Sequence, residues 1–143
     1  MGNSQESCIF VVNLQKYVHT IKIFMTETRK LVNSIIEGIQ EKKGHRIRVA
    51  DLRNIDDTIC LYLVICEGNS PTQVAAIEDS VWDAVQKQTG EKPRSVDGLR
   101  NSLWVAMDYT DVVVHVFVPD AREFYDIDNL WDDAEMEEIP DEV

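Results

Sequence analysis

The sequence predicts a single α/β domain built on one mixed β-sheet flanked by helices. Three observations point there. The chain has 143 residues, room for one proper core and not for two. Two long stretches, residues 27–43 and 71–89, repeat apolar residues at helical spacing. Between and after them stand short β-branched runs of strand length, "IRVADL", "LYLVICE", "SLWVAMD" and "DVVVHVF". Helical and strand-like segments interleaved in this way place helices against a sheet. Apolar residues make up 44% of the chain, enough to fill that core.

Residues 1–24 stand apart from the domain. Their apolar runs, CIFVV and IKIF, are far short of a membrane span. They lack the basic start and small-residue cleavage site of a signal peptide. The opening MGNSQE departs from the myristoylation pattern, because Glu6 stands where Ser or Thr is needed. Met25 begins "MTETRKLV", threonines able to cap followed by helix formers. The domain is therefore expected to start at Met25, with residues 1–24 an upstream start or an N-terminal extension.

In the first helix Leu31, Val32, Ile35, Ile36 and Ile39 form one apolar stripe. Lys42, Lys43 and Gly44 suit its end, cations at the negative pole and glycine as cap. "IRVADL" and "LYLVICE" are strands joined through "RNIDDT". "GNSPTQV" then carries the sharpest local signal. Ser70 fits an N-cap, Pro71 the first helical position, and Gln73 the reciprocal place of a capping box. The helix should run to about Thr89, with Val74, Ile77, Val81 and Val85 inward and Gly90 ending it. "KPRSVDG" holds a short strand at most, and two further strands are separated by Tyr109 and Thr110. After Pro119, "DAREFYDIDNLW" reads as a short helical segment. Residues 132–143 hold seven acids and no base, an acidic tail expected to be disordered. The predicted order is α-β-β-α-β-β-β-α, with the domain proper spanning residues 25–131.

The formal net charge of -12 narrows the function classes. More than half of it sits in the tail, yet the rest is acidic too, which argues against direct binding to DNA through phosphate neutralisation. A basic protein is the easier partner, although acidity that merely keeps the chain soluble accounts for the charge equally well. Cys8, Cys60 and Cys66 show no CxxC spacing. Cys60 and Cys66 on one strand would lie roughly 20 Å apart at about 3.3 Å per residue, which excludes a disulfide between them. Free thiols in a reducing cytoplasm are the simple reading.

The strangest local feature is His115 inside a run of valines. A symmetric turn over Tyr109 and Thr110, closed by Asp108 and Asp111, would pair Met107 with Val112 and Trp104 with His115. Alternation puts Trp104, Ala106, Val113, His115 and Phe117 on one face, with Val105, Met107, Val112, Val114 and Val116 on the other. The aliphatic face is core. The Trp104/His115 face is a covered second layer, a partner surface or a catalytic one. A cross-strand aromatic pair is worth roughly 0.2–1 kcal/mol, so structure alone could justify it.

No metal site is expected, because His19, His45 and His115 form no HxH, HExxH or Cys/His cluster. No GxSxG elbow is present. The turn Gly68–Asn69–Ser70 at a helix start is a ready anion site. Nucleotidyltransferases follow such a turn with a D-x-D pair on the next strand that holds a catalytic metal. Here that pair is missing, so no catalytic residue and no cofactor is named. A nucleotide-binding or nucleotidyltransferase-like enzyme using Gly68–Ser70 stands as the alternative reading.

Taken together, "VADLRNI…LYLVICEGNS…QVAAIEDSV", "VDGLRNSLWVAMDYTDVVVHVF" and "AREFYDIDNLW" resemble the ribosome silencing factor family (RsfS/Iojap). The W-x-x-x-D-x-x-D-V-x-V-H string is the most specific part, and the resemblance covers about Thr26 to Trp131. It implies a nucleotidyltransferase-like α/β fold without the catalytic residues, and a protein that is not an enzyme. It implies binding to the large ribosomal subunit through its ribosomal protein number fourteen. That binding would block joining of the small subunit and so repress translation in the cytoplasm. Several family members are homodimers when free. Carried over by position, Trp104, Asp108, Tyr109, Asp111 and His115 are the expected partner-binding residues. Arg122, Tyr125, Leu130 and Trp131 match the family's C-terminal block.

Overall fold

The computed structural model describes residues 27–141; the extension over residues 1–24 and Cys8 lie outside the described residues. Helix α1 occupies residues 27–41, and Leu31, Val32, Ile35 and Ile39 are buried as the spacing requires. Its end differs in detail from the expected glycine cap. Lys43 takes the left-handed conformation (φ 57°), and the Gly44 N–H donates to the Ile39 carbonyl at 2.9 Å. Strands β1 (His45–Asp51) and β2 (Tyr62–Glu67) form an antiparallel pair with an irregularity between His45 and Arg48. Helix α2 (Pro71–Thr89) follows, ended by Gly90 at φ 77°. Then come β3 (Ser95–Asp97), β4 (Trp104–Asp108) and β5 (Val112–Phe117). Helix α3 (Pro119–Tyr125) and a 3-10 turn (Ile127–Asn129) precede β6 (Glu135–Ile139).

The strands form one sheet in the order β3-β4-β5-β2-β1-β6. Among the described strands only β2 and β5 run parallel, so the sheet is mixed. α2 supplies the crossover that such a parallel pair needs. One face carries Tyr62, Val64, Cys66, Val105, Met107, Val112, Val114 and Val116, all buried with the apolar stripes of α1 and α2. Each such side chain taken from water contributes about 1.5–3 kcal/mol. The two helices meet closely at Gly38, where a Cβ would press on the Val81 backbone. There Ser80 Oγ donates to the Gly38 carbonyl at 2.7 Å. On the opposite face Ala50, Leu63, Ile65 and Phe117 are covered by Ile127, Trp131, Ala134 and Met136.

Two expectations are corrected. The first is the β4–β5 register. Trp104 pairs with Phe117, Ala106 with His115, Met107 with Val114 and Asp108 with Val113. The turn sits one residue later than expected, over Thr110 and Asp111, where Asp108 Oδ1 accepts from the Thr110 N–H at 2.7 Å and Thr110 is left-handed at φ 76°. The Tyr109 N–H then donates to the Val112 carbonyl at 2.9 Å. A shift of two residues preserves side-chain parity, so the faces stay as predicted. The second is the acidic tail. Residues 135–139 are not disordered but form β6, antiparallel to β1 from Asp51↔Glu135 to Ile47↔Ile139. Arg29 holds Glu137 at 3.0 Å and Arg48 approaches Glu138 at 3.6 Å, so cations contributed by α1 and β1 offset its charge.

Gly98, at φ 96°, turns the chain between β3 and β4, and a Cβ there would collide with the Trp104 carbonyl oxygen. Gly98→Ala is expected to cost about 1–3 kcal/mol, read as a lower urea midpoint. An unchanged midpoint would show that the turn relaxes freely.

A half-open sheet face as the candidate functional site

The segment from α3 to β6 crosses only part of its face of the sheet. It covers β2 and β1 and leaves β4 and β5 partly bare. Trp104, Ala106, Val113 and His115 are all half-buried there. Trp104 stacks on Phe117 (centroids 5.1 Å, planes 21° apart) and meets the Tyr125 ring at 4.5 Å. Its indole Nε1–H donates to His115 Nδ1 at 2.9 Å. Trp104 and His115 are therefore diagonal neighbours joined by a hydrogen bond, not a directly opposed pair. Burial depresses the His115 pKa to about 4, so the ring is neutral at pH 7. With Nδ1 accepting, its proton sits on Nε2.

Beside this patch large apolar side chains stand in solvent. Phe124 is 81% exposed and Tyr125 51%, with Leu103 at 44%; elsewhere on the chain Leu130 is 62% exposed. Phe124 and Tyr125 meet edge to face at 5.1 Å. Of these, Phe124 and Leu103 were not singled out from the sequence. An apolar residue at a helical position reads as core unless its partner face is known.

The remaining expected site residues divide. Asp108 is half-buried, its Oδ2 accepting from Arg94 Nη2 at 2.8 Å. Asp111 is half-buried, and its carbonyl accepts from the N–H groups of Leu61 and Tyr62 at 2.7 and 3.1 Å. Both carboxylates lie near Cys60, whose thiol is pushed up to about 11 by burial and then by Asp108. Burial raises the Cys66 thiol to about 12, and both thiols are free. Cys60 lies just before β2 rather than on it. Tyr109 is corrected from surface to core. It is 5% exposed among the aliphatic residues under α2, its hydroxyl lacks a partner, and burial raises its pKa.

A buried ionic network underpins the covering segment. Arg122, 3% exposed, grips Asp128 through Nε and Nη2 at 3.1 and 2.8 Å. Its Nη1 reaches the Arg46 carbonyl at 2.7 Å and Glu67 Oε1 at 3.2 Å. Arg46 and Arg48 complete the charge balance, bonding Glu67 at 2.7 Å and Asp128 at 3.1 Å. One sequence signal foreshadows it, a glutamate closing the otherwise apolar, wholly buried strand β2.

The Gly68–Ser70 turn is spoken for. Ser70 Oγ accepts from the Gln73 N–H at 3.2 Å, and Gln73 Oε1 accepts from the Asn69 N–H at 2.7 Å. Gln73 Nε2 donates to the Lys42 and Lys43 carbonyls, each at 3.2 Å. The Asn69 and Gln73 N–H donors, which a phosphate would use, are thus engaged in capping. Among the described residues no three His, Cys, Asp or Glu side chains gather as a metal site, and no helix is long and apolar enough to cross a membrane.

The fold and this face define a small mixed α/β domain carrying a preformed, half-open aromatic surface. Residues 25–143 match the family model described as "Ribosomal silencing factor during starvation", and the chain belongs to that family. A ribosomal silencing factor of Halalkalibacterium halodurans is 32% identical over 111 residues, spanning 78% of this chain and 93% of its own. That of Bacillus subtilis is 34% identical, spanning 69% and 82%. The chloroplastic Iojap protein of Zea mays is 32% identical over 75% of this chain and 46% of its own. A crystal structure of a Chromobacterium violaceum protein superposes with a TM-score of 0.68 at 31% identity, covering 73% of this chain and 85% of that one. These relatives are named as silencing factors and Iojap proteins, not as enzymes.

Proposed function

We propose that this chain is a ribosome silencing factor that acts by binding alone. It docks on the large ribosomal subunit through ribosomal protein number fourteen, blocks joining of the small subunit, and so represses translation in the cytoplasm. No catalysis and no cofactor enter the mechanism, since occupancy of a joining surface suffices. When free, the chain is expected to form a homodimer.

One observation carries the reading: the half-open face around Trp104. It offers a pre-stacked aromatic surface, the side-chain class that dominates interface energetics. Asp97, Asp108 and Asp111 stand around it on a chain of net charge -12, so a basic ribosomal protein is steered toward it. Aromatic rings already held by Phe117 and Tyr125 lose little side-chain entropy on docking.

The test is co-sedimentation with purified large and small subunits, together with a subunit-joining assay. The expected result is association with large subunits and inhibited joining; no ribosome association would overturn the reading. Trp104→Ala is expected to weaken large-subunit binding by about tenfold or more, the effect of losing a strong interface anchor. A melting curve accompanies it, because the ring also packs on Phe117. A folded variant that binds normally would remove Trp104 from the surface.

A further inference from the structure

Within the half-open face, His115 Nε2 has no hydrogen-bond partner among the described residues and is not fully sealed from solvent. His115 makes one hydrogen bond, through Nδ1 to the Trp104 indole, and its Nε2 is not among the buried atoms that lack partners. Nε2 thus keeps some contact with solvent on a half-buried side chain. We infer that Trp104 acts as a positioning residue that fixes the imidazole as an Nε2–H donor, and that His115 is the specificity-determining contact, reading a neutral oxygen acceptor on the docked protein. The inference rests on the function proposed above and names the chemistry of its contact.

The geometry makes the assignment one-sided. An indole N–H donates only, so the nitrogen it faces must be unprotonated and the proton of the neutral ring goes to the other. The ring is held in plane by more than that bond. Phe117 lies 6.1 Å away and nearly parallel, 17° between planes, and Trp104 is itself stacked on Phe117 and flanked by a tilted Tyr125 ring. Burial disfavours the imidazolium, which keeps the donor neutral.

The surroundings choose the acceptor. Across the sheet Asp97 and Ala106 stand in the same row as His115, and Asp108 stands in the next row beside Val113. Asp108 is paired with Arg94, but the exposed Asp97 in the His115 row disfavours an anionic acceptor, so a main-chain or side-chain amide carbonyl fits, carried on a basic surface. The apolar neighbours Ala106 and Val113 exclude water from such a contact, which raises the cost of leaving either partner unpaired.

The test uses the full chain and purified large subunits. Nitrogen NMR of the wild-type imidazole is expected to show Nε2 protonated and Nδ1 bare from pH 5 to 8; the opposite tautomer, or titration in that range, overturns the proposal. His115→Phe keeps the stack and deletes the donor. It also leaves the Trp104 indole N–H without its acceptor, so it is expected to melt a little below the wild type while staying folded, and to bind large subunits about tenfold more weakly. Trp104→Phe keeps an aromatic ring on Phe117 while deleting the indole donor and some ring area, so it is expected to release the tautomer, read directly by nitrogen NMR, and to lose part of the same affinity. Should the wild type bind while both variants bind equally well, the His115 contact is wrong and silencing stands. Should the wild type itself fail to bind, both fall together.

Discussion

Replacing Arg122 by Met is expected to cost about 3–5 kcal/mol of folding free energy, the scale for breaking a buried ion pair by removing one partner. The reason is not the attraction lost but the charge left behind. Glu67 is 2% exposed and Asp128 is 12% exposed at its side chain, and without the guanidinium both carboxylates stay in a desolvated place. Arg46 can still serve Glu67, as its Nη1 lies 2.7 Å from Oε1, but that side chain is two-thirds exposed and screened. Adding Glu67→Gln to Arg122→Met should therefore recover part of the loss, the signature of a penalty set by an orphaned charge. Urea midpoints of the two variants decide it; an Arg122→Met protein within about 1 kcal/mol of wild type would show that the network holds nothing.

The same network fixes a sign for pH. Burial alone would raise the Asp128 pKa, but hydrogen bonds and charge from Arg122, then Arg48, overcome it and hold the carboxyl below its ordinary value. A carboxyl depressed in the folded state contributes stability above its unfolded pKa and loses it as pH falls through the folded one. Wild-type stability should thus decline on the acid side of the carboxylate range. The decline should be shallower in Arg122→Met, where Asp128 no longer has its main partner. Function follows by position. Arg122 ties α3 to Asp128, and α3 bears Tyr125, which leans on Trp104. A loosened α3 would soften the aromatic surface even where the sheet survives.

What could be read ahead divides along the range of the interactions. Helices α1 and α2 were legible because spacing and caps lie within a few residues: Ser70, Pro71 and Gln73 act as their order suggests. The faces of β4 and β5 were legible because parity survives a two-residue slip. The register was not, since it depends on the Asp108 side chain bonding the Thr110 N–H, a choice the turn makes among several. β6 was hidden for a different reason. "EMEEI" looks like solvated acid until Arg29, 108 residues away along the chain, and Arg48 are placed beside it. In the candidate site the Trp104/His115 face was visible, whereas Tyr109 was misplaced. A tyrosine at a turn reads as surface, and only the packing of α2 over the β4–β5 end shows it covered.

Phe117→Ala is expected to be the other severe substitution, about 3–5 kcal/mol by the scale for an aromatic ring deleted from a packed core. Phe117 is fully buried and sits where two layers meet. Its ring joins Leu63, Ile65 and Ala50 beneath the covering segment, while its carbonyl accepts from the Gly68 N–H at 2.9 Å and so anchors the turn into α2. The main chain survives the substitution, so the cost comes from the cavity and the lost contacts. Trp104 would lose the ring it stacks on, and His115 the parallel ring beside it. Phe117→Leu refills most of the volume and should cost under about 1.5 kcal/mol, yet it removes the flat platform as well. The pair therefore separates stability from surface order. If the platform matters, the leucine variant keeps most of its melting temperature while its tryptophan emission shifts toward solvent-exposed values and its affinity for large subunits falls. If Phe117→Leu binds and fluoresces like the wild type, the ring serves as filling alone, and the order of the Trp104 surface must come from the Tyr125 side.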